Sequence, residues 1–214
     1  MEKGIKAVIF DVGGVLALQK NPKIVKQRGN KTFGVHKYIA KKLGISIDQW
    51  FDSVDTIYAL SIEGKISKRK ALNALSENVK INEKKMEKIL SNAYKKNFTT
   101  NKELYKIAFK LKKQGYKLAL LSDQWHFSKD ILMPKRHIKQ FNVSIASCNV
   151  GMRKPNPKIY KLALKKLKTP ARQTLFIDNQ IWNIKPAKKL GINTILFKDN
   201  KQLIKDLRKF GVEV

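Results

Sequence analysis

Four polar residues stand at the ends of short apolar segments or just beyond them, and their types suit the transfer of a phosphoryl group. Asp11 follows "KAVIF", Ser122 follows "LALL", Asp178 follows "LFI", and Lys154 lies in "VGMRKPNPKIY". A carboxylate such as that of Asp11 can attack phosphorus and divide one difficult displacement into two easier ones. Because the transferred group is anionic, the reaction also needs positive charge and hydrogen-bond donors, which Lys154 and Ser122 could supply.

The loop after Asp11 could bind the oxygens of that group through its main chain. N–H groups in the loop can donate to an anion, and the glycines of "DVGG" allow the anion to approach closely. Each polar residue, taken singly, has a structural explanation as a helix cap or a turn residue. Their common placement favours a site, in which the predicted phosphate-binding residues are Val12, Gly13, Ser122, Asp123 and Lys154.

The same region could hold a divalent cation. Mg²⁺ prefers oxygen ligands in octahedral geometry and keeps several waters. The carboxylate of Asp11, the main-chain carbonyl of Gly13 and the side chains of Asp178 and Asn179 could provide protein oxygens. The sequence therefore predicts an Mg²⁺ site beside Asp11.

Alternating strand and helix patterns predict the sheet that would bring these residues together. The predicted strands are Ile5–Phe10, Lys117–Leu121, Val143–Ala146, Thr174–Ile177 and Asn193–Phe197, and helix-period segments cover Asn101–Gln114, Pro157–Lys166, Asn183–Leu190 and Lys201–Phe210. This alternation is typical of an α/β, Rossmann-like, doubly wound parallel sheet of five core strands with right-handed crossovers. Such sheets bind ligands at the carboxyl ends of their strands, which is where the polar residues are placed.

About eighty residues separate the first predicted strand from the second, and they contain helical patterns. Apolar residues recur at helical spacing in "VHKYIAKKLG", "IDQWFDSVDTIYAL", "SKRKALNALSENV" and "NEKKMEKILSNAYKK", and "GKIS" predicts a turn leading to an N-cap. We therefore expect a core of residues 1–18 and 100–214 and a helical subdomain of residues 19–99. This subdomain is either purely structural or a cap over the site, and Trp50, Ile57 and Tyr58 are interpreted as its core rather than as pocket residues.

The chain resembles the haloacid dehalogenase (HAD) superfamily, in the subgroup with a helical cap inserted after the first motif. The resemblance rests on "FDVGGVL", "LLSDQ", "RKPNPKIY" and "FIDNQIWNIKPAKKLG" and covers nearly the whole chain. It implies a Rossmann-like core and Mg²⁺-dependent phosphatase activity on small phosphorylated metabolites. It also implies that Asp11 is the nucleophile, that Ser122 binds phosphate and that Lys154 stabilises charge, with Asp178 and Asn179 at the metal site.

Two positions depart from that pattern. Phosphatases of the family usually carry an acid two residues after the nucleophile, where this chain has Gly13, and general acid–base catalysis contributes about 10²- to 10⁴-fold. The predicted consequence is a slow enzyme, a substrate with a good leaving group, or a substitute acid such as Asp123 or His126. At the metal site, Asn179 replaces the usual second acid and offers an oxygen without a charge.

These departures leave two alternatives open. One is a catalytically weak or silent relative that binds a phosphorylated ligand or a partner. The other, ranked lower, is a 2-haloacid dehalogenase-like hydrolase, which works without a metal. "NQIWN" is similar to the fourth dehalogenase motif, but Asn183 stands at its acid position, Gly13 replaces an aromatic residue and Val15 replaces a threonine.

Composition limits the other functions that the chain could have. The formal net charge is +30, yet only six of the 46 basic residues are arginine, and the lysines are spread along the chain. A specific nucleic-acid site usually concentrates charge and includes arginine and aromatic residues, so we expect no specific nucleic-acid partner. No apolar run is long enough to cross a bilayer. We expect a cytoplasmic protein, monomeric or homodimeric and without a membrane partner, in which the single cysteine, Cys148, fills space in the core.

Overall fold

The computed structural model describes residues 4–20 and 33–214. The strands are β1 (Ala7–Phe10), β2 (Ala17–Gln19), β3 (Phe98–Thr100), β4 (Lys117–Ser122), β5 (Val143–Ala146), β6 (Thr174–Asp178) and β7 (Asn193–Leu196). The helices are α1 (Phe33–Leu43), α2 (Ile47–Ile62), α3 (Lys68–Asn78), α4 (Glu83–Asn97), α5 (Lys102–Lys113), α6 (His126–Leu132), α7 (Lys135–Ile138), α8 (Ser147–Val150), α9 (Pro157–Leu167), α10 (Ile181–Lys189) and α11 (Asn200–Lys209).

Five parallel strands form the central sheet in the order β5-β4-β1-β6-β7. In its registers Phe10 of β1 lies opposite Leu120 of β4 and Ile177 of β6. The direction of the connections therefore reverses at β1, as in doubly wound sheets, and the carboxyl ends of β1, β4 and β6 lie side by side. The predicted sheet and its five strands are confirmed, with ends that differ by at most two residues.

Apolar residues cover both faces of this sheet. Side chains alternate along a strand, so Ala7 and Ile9 of β1 join one buried cluster with α9 and α10. Val8 and Phe10 join a second cluster that includes α5 and α11 and extends into α1 to α4. Burial on both faces explains why the central strands are continuous apolar runs rather than alternating patterns.

The helical patterns between the first two core strands form α1 to α4. Side chains of Ser46, Ser67 and Asn82 cap the starts of α2, α3 and α4, as the turn predicted at "GKIS" requires for α3. Trp50 and Ile57 are buried in the cluster that these helices share with the sheet. Residues 21–32, within the predicted 19–99 subdomain, lie outside the described residues, and the division into two domains stays a prediction.

Two contacts join these helices to segments that follow the carboxyl ends of β4 and β5. Helix α4 packs against α6, and α2 packs against α8. Gly64, just after α2, has a φ of +65°, and a Cβ there would lie 2.5 Å from the carbonyl oxygen of Cys148 in α8. Glycine is thus required where the "GKIS" turn meets the main chain of α8. Cys148 is buried, as expected.

Strands β2 and β3 form an antiparallel pair that the sequence patterns do not predict. Ala17 pairs with Thr100, so the chain enters and leaves the helical segment at one place. Buried Asn101 secures this junction, since its main-chain N–H donates to Leu16 O at 2.8 Å and its side chain donates to Val15 O at 3.0 Å. The junction directly follows the loop that contains Gly13 and Gly14.

Candidate active site

Three of the predicted site residues form one buried ion-paired group at the carboxyl ends of β1 and β6. The Lys154 ammonium donates to Asp11 Oδ1 at 2.9 Å and to Asp178 Oδ2 at 2.6 Å. The exposed fractions are 6% for Asp11, 2% for Lys154 and 0% for Asp178. Buried charges are costly unless they are paired, and here one ammonium bridges two carboxylates from neighbouring strands.

The main chain around Asp11 is held by the sheet and by a tight loop. The N–H of Asp11 donates to Ile177 O at 2.9 Å, which extends the β1–β6 ladder by one residue. Gly14 follows with a φ of +82°, and a Cβ there would lie 2.3 Å from Asn179 Nδ2. A side chain at residue 14 would collide with Asn179, so the second glycine of "DVGG" lets the loop after β1 approach the loop after β6.

Asp178 has two further partners that the sequence reading missed. Its Oδ1 accepts from the main-chain N–H of Gln180 at 2.7 Å, and its Oδ2 accepts from Asn183 Nδ2 at 3.0 Å. The hydroxyl of Tyr160 in turn donates to Asn183 O at 2.9 Å. These contacts fix the carboxylate that orients Lys154. The five-residue spacing from Asp178 to Asn183, across the start of a helix, was the available signal.

Ser122 ends β4 and is held by a neighbour that the sequence reading also missed. Gln124 Nε2 donates to Ser122 Oγ at 2.9 Å, and both side chains are buried. The main chain of Gln124 is fixed by Ser147, whose Oγ accepts from the Gln124 N–H at 3.0 Å. A polar side chain two residues beyond a strand gives no pattern that distinguishes it from a turn residue, so the sequence alone does not predict a role for Gln124.

Asp123 lies beside this group and holds the loop that carries Lys154. Its Oδ1 accepts from the main-chain N–H of Lys154 at 3.0 Å. Tyr58 of α2 is partly buried and packs against the apolar cluster that contains Trp50 and Ile57, with its ring 5.2 Å from that of Trp125. This is the packing expected of a core residue.

Burial and charge set the protonation of the group. Burial raises the pKa of Asp11 to about 7; the Lys154 ammonium opposes this rise, and the Asp178 carboxylate adds to it. Burial by itself would lower the pKa of Lys154, but Asp11, Asp178 and Asp123 outweigh it and raise that pKa. Burial also raises the pKa of Asp123, again against Lys154. The ammonium therefore stays charged while it compensates its acidic neighbours.

There is room for a side chain at residue 13, where phosphatases of the family usually carry an acid. A Cβ at Gly13 would have nothing within 4 Å, and the φ of Gly13 is not in the left-handed region. Of the two proposed substitutes, Asp123 is engaged with the Lys154 main chain. His126 Nε2 lies 2.8 Å from Ile66 O in the "GKIS" turn. Both side chains thus have structural partners already.

One buried oxygen in the loop after β6 is suited to a metal ion, although the described residues form no cluster of acids and histidines. Within residues 4–20 and 33–214, no group of three His, Cys, Asp or Glu side chains could hold a metal ion. Buried Asn179 Oδ1, however, has no hydrogen-bond partner among the described residues, although Asn179 Nδ2 lies against Gly14. A buried amide oxygen without a hydrogen-bond donor is costly. A cation that is coordinated by carboxylate, carbonyl and amide oxygens would satisfy it.

The geometry now has a family context. The family model of haloacid dehalogenase-like hydrolases matches residues 5–191. This chain belongs to that family. The match includes each of the four motifs from Asp11 to Asn179 and the helical segment between the first two.

Two curated proteins with different names are similar in sequence to this HAD-like chain. The bifunctional epoxide hydrolase 2 of Mus musculus is 31% identical over 170 residues, which are 77% of this chain and 28% of that protein. The glyceraldehyde 3-phosphate phosphatase of Pyrococcus abyssi is 30% identical over 102 residues, 45% of this chain and 41% of that protein. The chain therefore spans less than a third of the length of the mouse protein.

A solved structure has the same fold over almost its whole length. The HAD family enzyme BT-2542 of Bacteroides thetaiotaomicron, in complex with magnesium and inorganic phosphate, has a TM-score of 0.71 at 22% identity. The alignment covers 94% of this chain and 99% of that one. Within the described residues, no helix is long and apolar enough to cross a membrane.

Proposed function

We propose that this HAD-like hydrolase is an Mg²⁺-dependent phosphatase that hydrolyses a small phosphate monoester through an aspartyl-phosphate intermediate. The observation that carries the proposal is the Lys154 ammonium between Asp11 and Asp178. It orients one carboxylate at the strand-end crevice and leaves Ser122, on the next strand, to bind the transferred group. A phosphatase among the curated relatives and a magnesium–phosphate complex among the structural neighbours support this proposal.

The side chains divide the reaction between them. Asp11 attacks phosphorus and forms an aspartyl phosphate while the bond from phosphorus to the leaving oxygen breaks. Lys154 and Ser122 hold the oxygens of the transferred group, together with the main-chain N–H groups of Val12 and Gly13. Water then attacks the same phosphorus atom, which releases inorganic phosphate and restores the Asp11 carboxylate.

The proposed metal site consists of oxygens from the two adjoining loops. Asp11, the Gly13 carbonyl and Asn179 would hold Mg²⁺, and Asp178 would support the site through its fixed position beside Lys154. The bound ion would neutralise charge on the phosphoryl oxygens. Because Asn179 contributes no negative charge, we expect Mg²⁺ affinity to be lower by at least about tenfold than with an acid at that position.

Gly13 limits the class of substrate. Without an acid two residues after the nucleophile, the leaving oxygen departs as an anion or takes its proton from water. The phosphatase should therefore prefer monoesters with weakly basic leaving groups, such as aryl or enol phosphates, over simple alkyl phosphates.

The combination of Gly13 and Asn179 also supports a second candidate function. In a silent relative, the same crevice would bind a phosphorylated small molecule and not cleave it. Inorganic phosphate would then raise the melting temperature, as expected for a ligand that binds the folded state, while no phosphate ester would be hydrolysed.

Hydrolysis of 4-nitrophenyl phosphate tests the proposal. We expect turnover that requires Mg²⁺, is lost on chelation, and falls by about 10³-fold or more in Asp11→Asn, which removes the nucleophile. Lys166→Gln, on the solvent side of α9, is the matched control and should retain full activity. Turnover that survives Asp11→Asn would contradict the role of Asp11, and phosphate binding without turnover would favour the silent relative.

A further inference from the structure

The Ser122 hydroxyl can hold a phosphoryl oxygen only if its proton points into the crevice. A serine hydroxyl has one proton to donate and two lone pairs that accept. A neighbour that donates to Ser122 leaves its proton free for the ligand, whereas a neighbour that accepts from Ser122 uses that proton. The identity of the group next to Ser122 Oγ therefore decides what the hydroxyl can do.

That neighbour is the carboxamide of Gln124, and a second contact fixes its orientation. Ser128 Oγ donates to Gln124 Oε1 at 2.6 Å, so the amide oxygen is engaged on the side of α6. The Nε2 group consequently faces Ser122 and donates to its Oγ at 2.9 Å. An amide nitrogen cannot accept, so the Ser122 proton is left for another acceptor.

The contacts of Ser128 agree with this orientation. Its hydroxyl also lies 3.2 Å from the carbonyl oxygen of Trp125, but its contact with Gln124 Oε1 is the shorter one. Donation thus runs from Ser128 through Gln124 to Ser122, and these three side chains are buried. Hydrogen bonds aligned in one direction polarise and strengthen one another.

We propose that Gln124 is a positioning residue, which holds Ser122 as a donor toward the phosphoryl group, and that Ser128 fixes the carboxamide in the required orientation. This inference rests on the proposed phosphatase function and adds to it a second layer of residues behind Ser122.

A double-mutant cycle between Ser122 and Gln124 tests this inference, with competitive inhibition by inorganic phosphate during 4-nitrophenyl phosphate turnover as the measurement. Ser122→Ala should weaken phosphate inhibition about tenfold, because it removes a charge-assisted hydrogen bond to phosphate. Gln124→Leu should weaken it about fivefold, because the Ser122 hydroxyl is then no longer held in the orientation for that bond. In the Ser122→Ala background, Gln124→Leu should add less than about twofold, because there is no hydroxyl left to orient.

Gln124→Glu separates orientation from packing. The carboxylate keeps the shape of the side chain but can only accept hydrogen bonds. The Ser122 hydroxyl would then donate to this carboxylate and no longer to the ligand. We expect phosphate inhibition to weaken more with Ser122 present than with Ser122→Ala. The repulsion between the new charge and phosphate is common to both backgrounds and cancels in the comparison.

The outcomes separate this inference from the proposed function. Equal costs of the Gln124 substitutions in both backgrounds would show a merely structural role and overturn the inference alone. A wild-type protein that neither hydrolyses the aryl ester nor binds phosphate would overturn the proposed function, and the inference with it. Thermal unfolding monitors folding; if Gln124→Leu does not fold, Ser128→Ala enters the same cycle and should likewise lose its effect in the Ser122→Ala background.

Discussion

Gly13 is the residue that most separates this chain from the usual phosphatases of its family. An acid two residues after the nucleophile would protonate the leaving group and then activate water for the second step. Gly13 can do neither, and Asp123 and His126 are held by Lys154 N–H and Ile66 O. The space beside Gly13 is nevertheless open, because a Cβ there would have nothing within 4 Å.

Gly13→Asp should therefore restore the missing group. We expect hydrolysis of an unactivated alkyl phosphate to rise by about 10²-fold, at the lower end of what general acid–base catalysis contributes. Hydrolysis of 4-nitrophenyl phosphate should rise less, since its leaving group needs little protonation. Steady-state rates with both esters provide the measurement.

Gly13→Asn is the matched control for that substitution. The amide has nearly the size of the acid but cannot transfer a proton in this pH range, so it should leave the preference between the two esters unchanged. A rise with Asn equal to that with Asp would show that bulk, and not proton transfer, is responsible.

Among the elements, the junction formed by β2, β3 and Asn101 positions the site loop. Asn101 joins Leu16 and Val15, caps α5 through Leu104 N–H at 3.2 Å, and pairs with Asn200 at 2.9 Å. The first two of these contacts lie directly after the loop that begins at Asp11. Asn101 thus joins the segment after the Asp11 loop to the starts of α5 and α11.

Asn101→Ala should destabilise the protein by about 1–3 kcal/mol, because it leaves buried hydrogen-bonding groups without partners and removes an N-cap. Chemical denaturation measures the free energy of unfolding. Asn73→Ala, at an exposed position of α3, should change it by no more than about 0.5 kcal/mol. Similar effects of the two substitutions would mean that the junction is not a stabilising feature.

The elements also show what the sequence could predict. Buried strands such as β1 and β6 are continuous apolar runs ended by acids, so both their positions and the placement of Asp11 and Asp178 followed from the pattern. Strands β2 and β3 have only three residues each, and their pairing depends on contacts between distant segments. The role of Gln124 is not predicted for the same reason, because its partners Ser122 and Ser128 are determined by tertiary structure.

The molecule as a whole carries a formal net charge of +30. Such a charge attracts any polyanion at low ionic strength, and the attraction weakens steeply with salt as condensed counterions compete. Forty of the 46 basic residues that carry it are lysines, and they are spread along the whole chain. A charge distributed in this way favours general attraction of anions over recognition at one site.

Binding to nucleic acid should accordingly be non-specific. We expect DNA and RNA oligonucleotides of unrelated sequence to bind at low salt with similar affinities, and binding to be lost by about 150 mM salt. Fluorescence anisotropy across a salt series measures this. Retention at physiological salt, or a preference for one structure, would point to a nucleic-acid function that the site does not explain.

The most direct test of the central claim is to trap phosphate on Asp11. Gly13 cannot activate water for the second step, so the aspartyl phosphate should accumulate during turnover. After rapid acid quenching with 4-nitrophenyl phosphate and Mg²⁺, mass spectrometry should find a phosphorylated peptide that contains Asp11, which Asp11→Asn lacks. Phosphate on another residue, or turnover by Asp11→Asn at the wild-type rate, would contradict the claim.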